Sequence, residues 1–180
     1  SSIDVETAAQ IAIAGLGAGI TPIVRVPGHQ HFHASRLLDT GAQGIVVPHV
    51  DTAEEAQRIV SYCKYPPVGH RSVAGAQPQL GFKSFSVADA TRLVNQETLV
   101  VVMLETPTAI KNAEAIAAVK GLDVLLIGTN DLCAELGIPG DFSNKKVEDA
   151  YAVVINTARR HHKFPGMGGV LDEIDSLLFV

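Results

Sequence analysis

Residues 99–104 form an uninterrupted apolar segment, Leu-Val-Val-Val-Met-Leu, which constrains the fold more than any other part of the chain. Three adjacent valines disfavour a helix, because β-branched side chains lose rotamer freedom there. A strand with one solvated face would alternate apolar and polar residues, and this segment does not alternate. The segment therefore predicts a strand buried on both faces, as in a parallel sheet that is covered by helices.

Acidic residues follow two of the predicted buried strands. Glu105 comes directly after the first apolar segment, and Asp131 comes shortly after a second one, residues 123–128. The carboxyl ends of parallel strands lie at one edge of a sheet. Both carboxylates are therefore expected at the edge where α/β folds bind their ligands.

The rest of the chain alternates strands and helices. Thr52 and Glu55 have the spacing of a capping box at the start of one helix. Residues 65–84 are rich in Pro, Gly and Gln and predict a long loop, a feature that is often functional. Strands are predicted over 21–27, 44–49, 99–104, 123–128 and 164–170, and helices over 2–17, 29–40, 51–62, 87–96, 109–119, 131–136, 147–162 and the last ten residues.

This order predicts one α/β domain over residues 1–180 with right-handed crossovers. Five parallel strands can form an open sheet, but polar residues at the strand ends are typical of a (β/α)8 TIM barrel. Because such a barrel needs eight strands, the chain is interpreted as a partial TIM-barrel domain.

The composition argues against several classes of partner. The 180 residues are 47% hydrophobic with a formal net charge of −5, and the absence of a basic cluster argues against nucleic acid. No apolar segment is long enough to span a bilayer, and no secretion signal is recognisable, so we expect no membrane association. Cys63 and Cys133 are isolated, which favours a reduced, cytoplasmic setting.

Glu105 and Asp131 are the strongest candidates for chemistry. Carboxylate oxygens without a Cys–His cluster favour a hard divalent cation, Mg²⁺ or Mn²⁺. The alternative is that each acid only caps the helix that follows its strand. Two acids after successive buried strands favour the metal site.

Four further residues are candidates with simpler alternatives. Arg25, among apolar neighbours, needs either a substrate carboxylate or an internal ion pair, for instance with Glu105. His49 ends its strand and is either an acid/base or a structural group. The amides of Gly128 and Thr129 either hold an anion or only turn the chain.

Two other patterns are set aside. Residues 15–19 resemble a nucleotide fingerprint, but they end a helix and precede a strand, whereas the dinucleotide loop has the reverse order. His29, His31 and His33 do not share one face of a helix, so we expect them to be exposed to solvent rather than bound to a metal.

Several segments together resemble the HpcH/HpaI aldolase family, which includes macrophomate-synthase-like and citrate-lyase-β-like enzymes. They are PIVRVPG, LLDTGAQGIVVPHVDTAEEAQRIV, YPPVGHRS, VVVMLET and GLDVLLIGTNDL, and the likeness covers nearly the whole chain. The resemblance implies a modified TIM barrel whose last helix is exchanged between neighbours in trimers of dimers. We therefore expect a homo-oligomer, a trimer or a hexamer.

The resemblance also implies an activity, the cleavage or formation of a carbon–carbon bond next to pyruvate or a related 2-oxo acid. Glu105 and Asp131 match the ligands of the divalent metal, Mg²⁺ or Mn²⁺, with Co²⁺ as a further candidate. Arg25 matches the arginine that meets the pyruvate carboxyl group or the enolate oxygen. Gly128 and Thr129 match the backbone site for the carboxylate.

The match with the family is incomplete at several positions. His49 falls where macrophomate-synthase-like members have an active-site histidine and many aldolases have Met. Arg71 matches a family position without an assigned role, and Met103 replaces a common Gln. The early Glu-His pair, whose His helps proton transfer, is absent. About two strands before residue 1 and one after residue 180 are expected to complete the barrel.

These observations predict a class II aldolase that cleaves a 4-hydroxy-2-oxo acid to a 2-oxo acid and an aldehyde through an enolate stabilised by the metal and Arg25. One alternative is a CoA-thioester lyase of the citrate-lyase-β type, which requires a basic entrance for the CoA phosphates. The other is a non-catalytic fragment with a role in assembly, because exposed barrel edges favour association.

Overall fold

The structure is a computed structural model that describes residues 3–168 except 74 and 76. Its centre is a five-stranded parallel sheet in which the strands follow one another in chain order. Sequential parallel strands joined by helices are the arrangement found in a TIM barrel, and the α/β prediction is confirmed. The strands are β1 (Ile23–Arg25), β2 (Gly44–Val47), β3 (Leu99–Leu104), β4 (Val124–Gly128) and β5 (Phe164–Gly168).

The connections between the strands are mainly helical, and several helices begin at a capping side chain. Asp4 and Asn144 accept hydrogen bonds from the first turns of α1 (Val5–Gly17) and α8 (Lys145–Arg160), and Thr52 and Glu55 form the expected capping box of α3 (Ala53–Cys63). No helix in the described part of the chain is both long and apolar enough to cross a bilayer. The helices are α1 (Val5–Gly17), α2 (His31–Asp39), α3 (Ala53–Cys63), α4 (Val87–Glu97), α5 (Pro107–Lys111), α6 (Ala113–Ala117), α7 (Thr129–Glu135) and α8 (Lys145–Arg160), and Pro78–Leu80 is a short 3₁₀ helix.

The strands present alternate residues to two different surroundings. Residues at every second position pack against the helices and form the main core; they include Ile45, Val47, Val100, Val102, Leu104, Leu125 and Ile127. The residues between them point to the other face of the sheet, the interior side of a barrel. Arg25, Met103, Glu105, Leu126 and Gly128 fall on that interior face by this alternation.

One predicted element differs from the structure. The helix expected over 109–119 is divided into α5 and α6 at Asn112, whose side-chain amide donates to the carbonyl of Asp51 at 2.7 Å. The other predicted helices and strands are present with ends shifted by a few residues. The helix predicted for the last ten residues lies outside the described residues.

The long loop expected over 65–84 packs near the amino-terminal ends of the strands, whereas Glu105 lies at their carboxyl-terminal ends. Arg71, which is buried, donates to Asp39 at the end of α2 over 2.6 Å. Gln79 donates to the carbonyl of Ala42, which precedes β2, at 3.3 Å. Within one chain this loop therefore fixes the amino ends of the strands and lies away from the carboxyl-terminal edge.

Truncation of a core side chain between the sheet and the helices is expected to lower the stability of the fold strongly. Leu125 is fully buried in β4, so Leu125→Ala is expected to lower the free energy of unfolding by about 2–5 kcal/mol through lost burial and a cavity. Val153→Ala, at an exposed position of α8, is the control and should change it by less than about 0.5 kcal/mol. Chemical denaturation measures both, and an equal effect of the two would contradict this core.

Candidate metal centre

Glu105 occupies the first position after β3, and its carboxylate is held by a neighbouring loop. The side chain is only 1% exposed, and its Oε2 atom accepts a hydrogen bond from the backbone N–H of His49 at 2.7 Å. His49 has a φ of +53°, in the left-handed region that costs a residue with a Cβ roughly 1–2 kcal/mol. This unusual backbone angle directs the His49 N–H toward the carboxylate.

Gly128, beside Glu105 on the next strand, provides the space for that carboxylate. The last paired residues of β3 and β4 are Leu104 and Ile127, so Glu105 and Gly128 are the next neighbours across the sheet. A Cβ atom at Gly128 would lie 2.6 Å from Glu105 Cγ and would overlap Oε1. Only glycine at position 128 permits the observed position of Glu105.

Three side chains with metal-binding atoms meet at this edge. His49 Nδ1 lies 3.3 Å from Glu105 Oε2. Asp131, exposed in the first turn of α7, completes a group whose candidate ligand atoms all lie within 4.8 Å of one another. The structure thus brings Glu105 and Asp131 together, as the sequence predicted, and adds His49.

The electrostatics of Glu105 reflect both its burial and its neighbours. Burial raises the pKa of this carboxyl group above its usual value, and the nearby Asp131 acts in the same direction. The hydrogen bond from the His49 backbone and the His49 ring oppose that rise in pKa. Two carboxylates this close repel each other when both are ionised, and a bound cation would relieve the repulsion.

The residues present fit a divalent cation. Glu105 Oε1 is buried and has no hydrogen-bond partner among the described residues, although buried carboxylate oxygens are normally satisfied. The two carboxylates form a hard donor set that suits Mg²⁺ or Mn²⁺, and the His49 imidazole lies beside them. This unpaired oxygen is therefore available as a metal ligand.

The structure also places the two remaining candidate side chains, those of Arg25 and Thr129. Arg25 lies on the interior face of β1, paired in register with Val46; it is exposed and forms no ion pair with Glu105 in the described part of the chain. The internal ion pair with Glu105, one of the two alternatives for Arg25, is therefore not observed among the described residues. Thr129 is buried, and its hydroxyl lies 2.7 Å from the Tyr151 hydroxyl of α8, so its side chain fixes the turn after β4.

The expectation for the early histidines is only partly correct. His31 is exposed as expected, whereas His29 and His33 are half-buried, and His29 Nε2 lies 2.8 Å from the carbonyl of Pro48. None of the three belongs to a metal-type cluster within the described ranges. The expectation of solvent exposure is therefore met by His31 and only in part by His29 and His33.

Comparison with known proteins identifies the family of the chain. The family model of HpcH/HpaI aldolase/citrate lyase matches residues 2–175. The chain belongs to this family. A 4-hydroxy-4-methyl-2-oxoglutarate aldolase of Chaetomium globosum is 41% identical over 172 residues, which cover 94% of this chain and 64% of that protein. A 4-hydroxy-2-oxovalerate aldolase of Rhodococcus jostii is 39% identical and is covered to 60%, with 88% of this chain aligned.

A solved member of the HpcH/HpaI family shows the same fold. The crystal structure of an HpcH/HpaI aldolase from Desulfitobacterium hafniense DCB-2 superposes with a TM-score of 0.92 at 29% identity and covers 99% of this chain and 69% of its own. The five described strands therefore have the TIM-barrel-like arrangement of the family. The chain spans less than two thirds of the length of the two relatives named above.

Proposed function

We propose that this chain forms the metal-binding part of a class II aldolase. The reaction is the reversible cleavage of a 4-hydroxy-2-oxo acid into pyruvate, or a related 2-oxo acid, and an aldehyde. The observation that carries the proposal is the buried Glu105 beside Asp131 and His49, with an Oε1 atom that has no hydrogen-bond partner among the described residues. The activities named for the two relatives, both aldolases of 4-hydroxy-2-oxo acids, support the substrate class.

The residues of the cluster have distinct roles in this proposal. Glu105 and Asp131 hold the divalent cation, Mg²⁺ or Mn²⁺. The cation, when bound, supplies Lewis-acid polarisation of the oxygens of the 2-oxo acid. Arg25, on the same face of the sheet, donates hydrogen bonds to the substrate carboxylate or to the enolate oxygen that develops as the carbon–carbon bond breaks. The backbone amides of Gly128 and Thr129 bind the carboxylate.

We assign to His49 the removal of the proton from the 4-hydroxyl group of the substrate. Its side chain is 62% exposed, and its Nδ1 atom faces Oε2 of Glu105. In the tautomer with the proton on Nδ1, the carboxylate orients the ring and Nε2 is left free to accept a proton. Cleavage requires removal of this hydroxyl proton as the aldehyde carbonyl forms.

Calorimetric titration with Mn²⁺, alone and then with pyruvate, tests the proposal. We expect Mn²⁺ to bind, pyruvate to bind only in its presence, and Asp131→Asn to weaken Mn²⁺ binding at least about tenfold through loss of a charged ligand. Asp149→Asn is the matched control, because Asp149 is an exposed acid of α8 paired with Lys145, and it should bind Mn²⁺ as the unchanged protein does.

Three outcomes would contradict the proposal, and the first two favour its rivals. Absence of both Mn²⁺ and pyruvate binding would favour a non-catalytic assembly role. Binding of acetyl-CoA in preference to pyruvate would favour the CoA-thioester reaction. Equal Mn²⁺ affinity in Asp131→Asn and in Asp149→Asn would remove Asp131 from the metal site.

A further inference from the structure

The loop that follows β2 and the segment that ends β3 run side by side and are joined at three successive points. The His49 N–H binds Glu105 Oε2, and the Val50 N–H donates to the carbonyl of Met103 at 3.0 Å. The third link joins two side chains, described next. The left-handed backbone of His49 lies at the start of this ladder, and such backbone angles persist only where the surroundings determine them strongly.

The third link is a hydrogen bond from the hydroxyl of Thr106 to the carboxylate of Asp51, with an O–O distance of 2.5 Å. Thr106 is the neighbour of Glu105 in the chain. The backbone of Asp51 is also anchored, because its carbonyl accepts from Asn112 and its N–H donates to Glu55. Asp51 therefore ties the start of α3 and the α5–α6 junction to the residue that follows Glu105.

We infer that Asp51 is a positioning residue of the metal centre, which acts through Thr106 to keep Glu105 Oε2 on the His49 N–H. This inference rests on the proposed function. With Oε2 held by that N–H, Oε1 is the oxygen left for the cation. Without the Asp51 link, the two segments can separate, His49 can leave its left-handed conformation, and the carboxylate can rotate away from the cluster.

Variants of both partners of the link test the inference in the full chain, with Mn²⁺ alone as the probe. Asp51→Ala and Thr106→Val are each expected to weaken Mn²⁺ binding about 10- to 100-fold. Asp51→Asn and Thr106→Ser retain an acceptor and a donor, and should bind within about twofold of the unchanged protein. Both substitutions remove the same Asp51–Thr106 hydrogen bond, so the double variant should lose no more Mn²⁺ affinity than Thr106→Val alone. Thr106→Val also removes the hydroxyl that accepts from the Ala109 N–H at the start of α5, whereas Asp51→Ala leaves that bond in place.

Calorimetry gives the dissociation constants, the Mn²⁺ electron paramagnetic resonance spectrum reports the ligand field, and melting of the metal-free variants reports the fold. Asp123→Ala is the matched control, since Asp123 accepts from the Val100 N–H at the opposite end of β3. It should lower the melting temperature without changing Mn²⁺ affinity.

The possible results separate this inference from the proposed function. Unchanged Mn²⁺ affinity in Asp51→Ala and Thr106→Val, with normal binding by the unchanged protein, overturns the role of Asp51 alone. A loss in Asp51→Asn as large as in Asp51→Ala also overturns it, because charge rather than the hydrogen bond would then be responsible. Failure of the unchanged protein to bind Mn²⁺ overturns both.

Discussion

Replacement of Glu105 by glutamine is expected to reduce metal-dependent cleavage of 4-hydroxy-2-oxo acids by at least about 100-fold, because residues that only support metal ligands already contribute up to that factor. The amide oxygen can take the place of Oε2 on the His49 N–H. The NH₂ group then stands where Oε1 is unpaired and presents hydrogen-bond donors to the cation. An assay of the complete protein with Mn²⁺, together with calorimetry, measures the loss.

The same substitution is expected to stabilise the metal-free protein at neutral pH. Burial raises the pKa of Glu105 in the folded state, so folding favours the protonated form, and stability is lost as the pH rises from the unfolded pKa of about 4.3 through the folded value. Glutamine carries no charge at any of these pH values. The melting temperature of Glu105→Gln should therefore exceed that of the unchanged protein at pH 7, and the difference should shrink toward pH 4.

Glu114→Gln is the matched control for Glu105→Gln. Glu114 is an exposed residue of α6 whose ion pairs with Arg160 and His161 lower the pKa of its carboxyl group. Unlike the buried carboxylate of Glu105, the ionised carboxylate of Glu114 stabilises the fold at neutral pH, and this stabilisation is lost as the pH falls. Glu114→Gln should leave activity unchanged without raising the melting temperature at pH 7. Full activity of Glu105→Gln would exclude Glu105 as a metal ligand.

Both acids of the centre could be predicted from the sequence, because their approach depends only on general properties of parallel sheets. Residues 99–104 and 123–128 are apolar enough to be recognised as buried strands. Such strands end at a common edge. Glu105 and Asp131 therefore had to lie near that edge, and the structure brings their candidate ligand atoms within 4.8 Å.

The part played by His49 could not be predicted in this way. Its contact with Glu105 depends on a left-handed backbone angle, which sequences most often indicate by glycine or asparagine, and neither residue is present at position 49. The angle is instead accompanied by two long-range hydrogen bonds: the Val50 N–H donates to the carbonyl of Met103, and the Asp51 carboxylate accepts from the hydroxyl of Thr106. The only local signal was the position of His49 at a strand end, next to Pro48.

Long-range contacts also accompany two features whose form or place the sequence pattern did not predict. The interruption at Asn112 accompanies its hydrogen bond to Asp51, 61 residues earlier. The loop that contains Arg71 is placed by Asp39, 32 residues earlier. For Arg25, the sequence pattern determines the face but not the contact. The alternation of β1 places Arg25 on the same face of the sheet as Glu105, but the sequence does not determine which group its side chain contacts.

Substitution of Gly128 by alanine is expected to abolish tight metal binding while the chain still folds. The φ of Gly128 is −88°, so alanine introduces no left-handed strain, and the effect comes from the added methyl group. That group would lie 2.6 Å from Glu105 Cγ and 2.9 Å from Cδ, both shorter than van der Waals contact. Overpacking of this kind typically costs about 1–3 kcal/mol of stability.

The collision at Gly128 can be relieved only by movement of Glu105. Because Oε2 is already bound to the His49 N–H, movement of the carboxylate breaks that bond and withdraws Oε1 from the cluster. Mn²⁺ affinity should therefore fall about 100-fold or more, beyond the range for indirect effects, as measured by calorimetry. Gly17→Ala, at the end of α1 with nothing within 4 Å of the added Cβ, should bind Mn²⁺ normally. Normal binding by Gly128→Ala would show that the cation does not use the Glu105 position observed here.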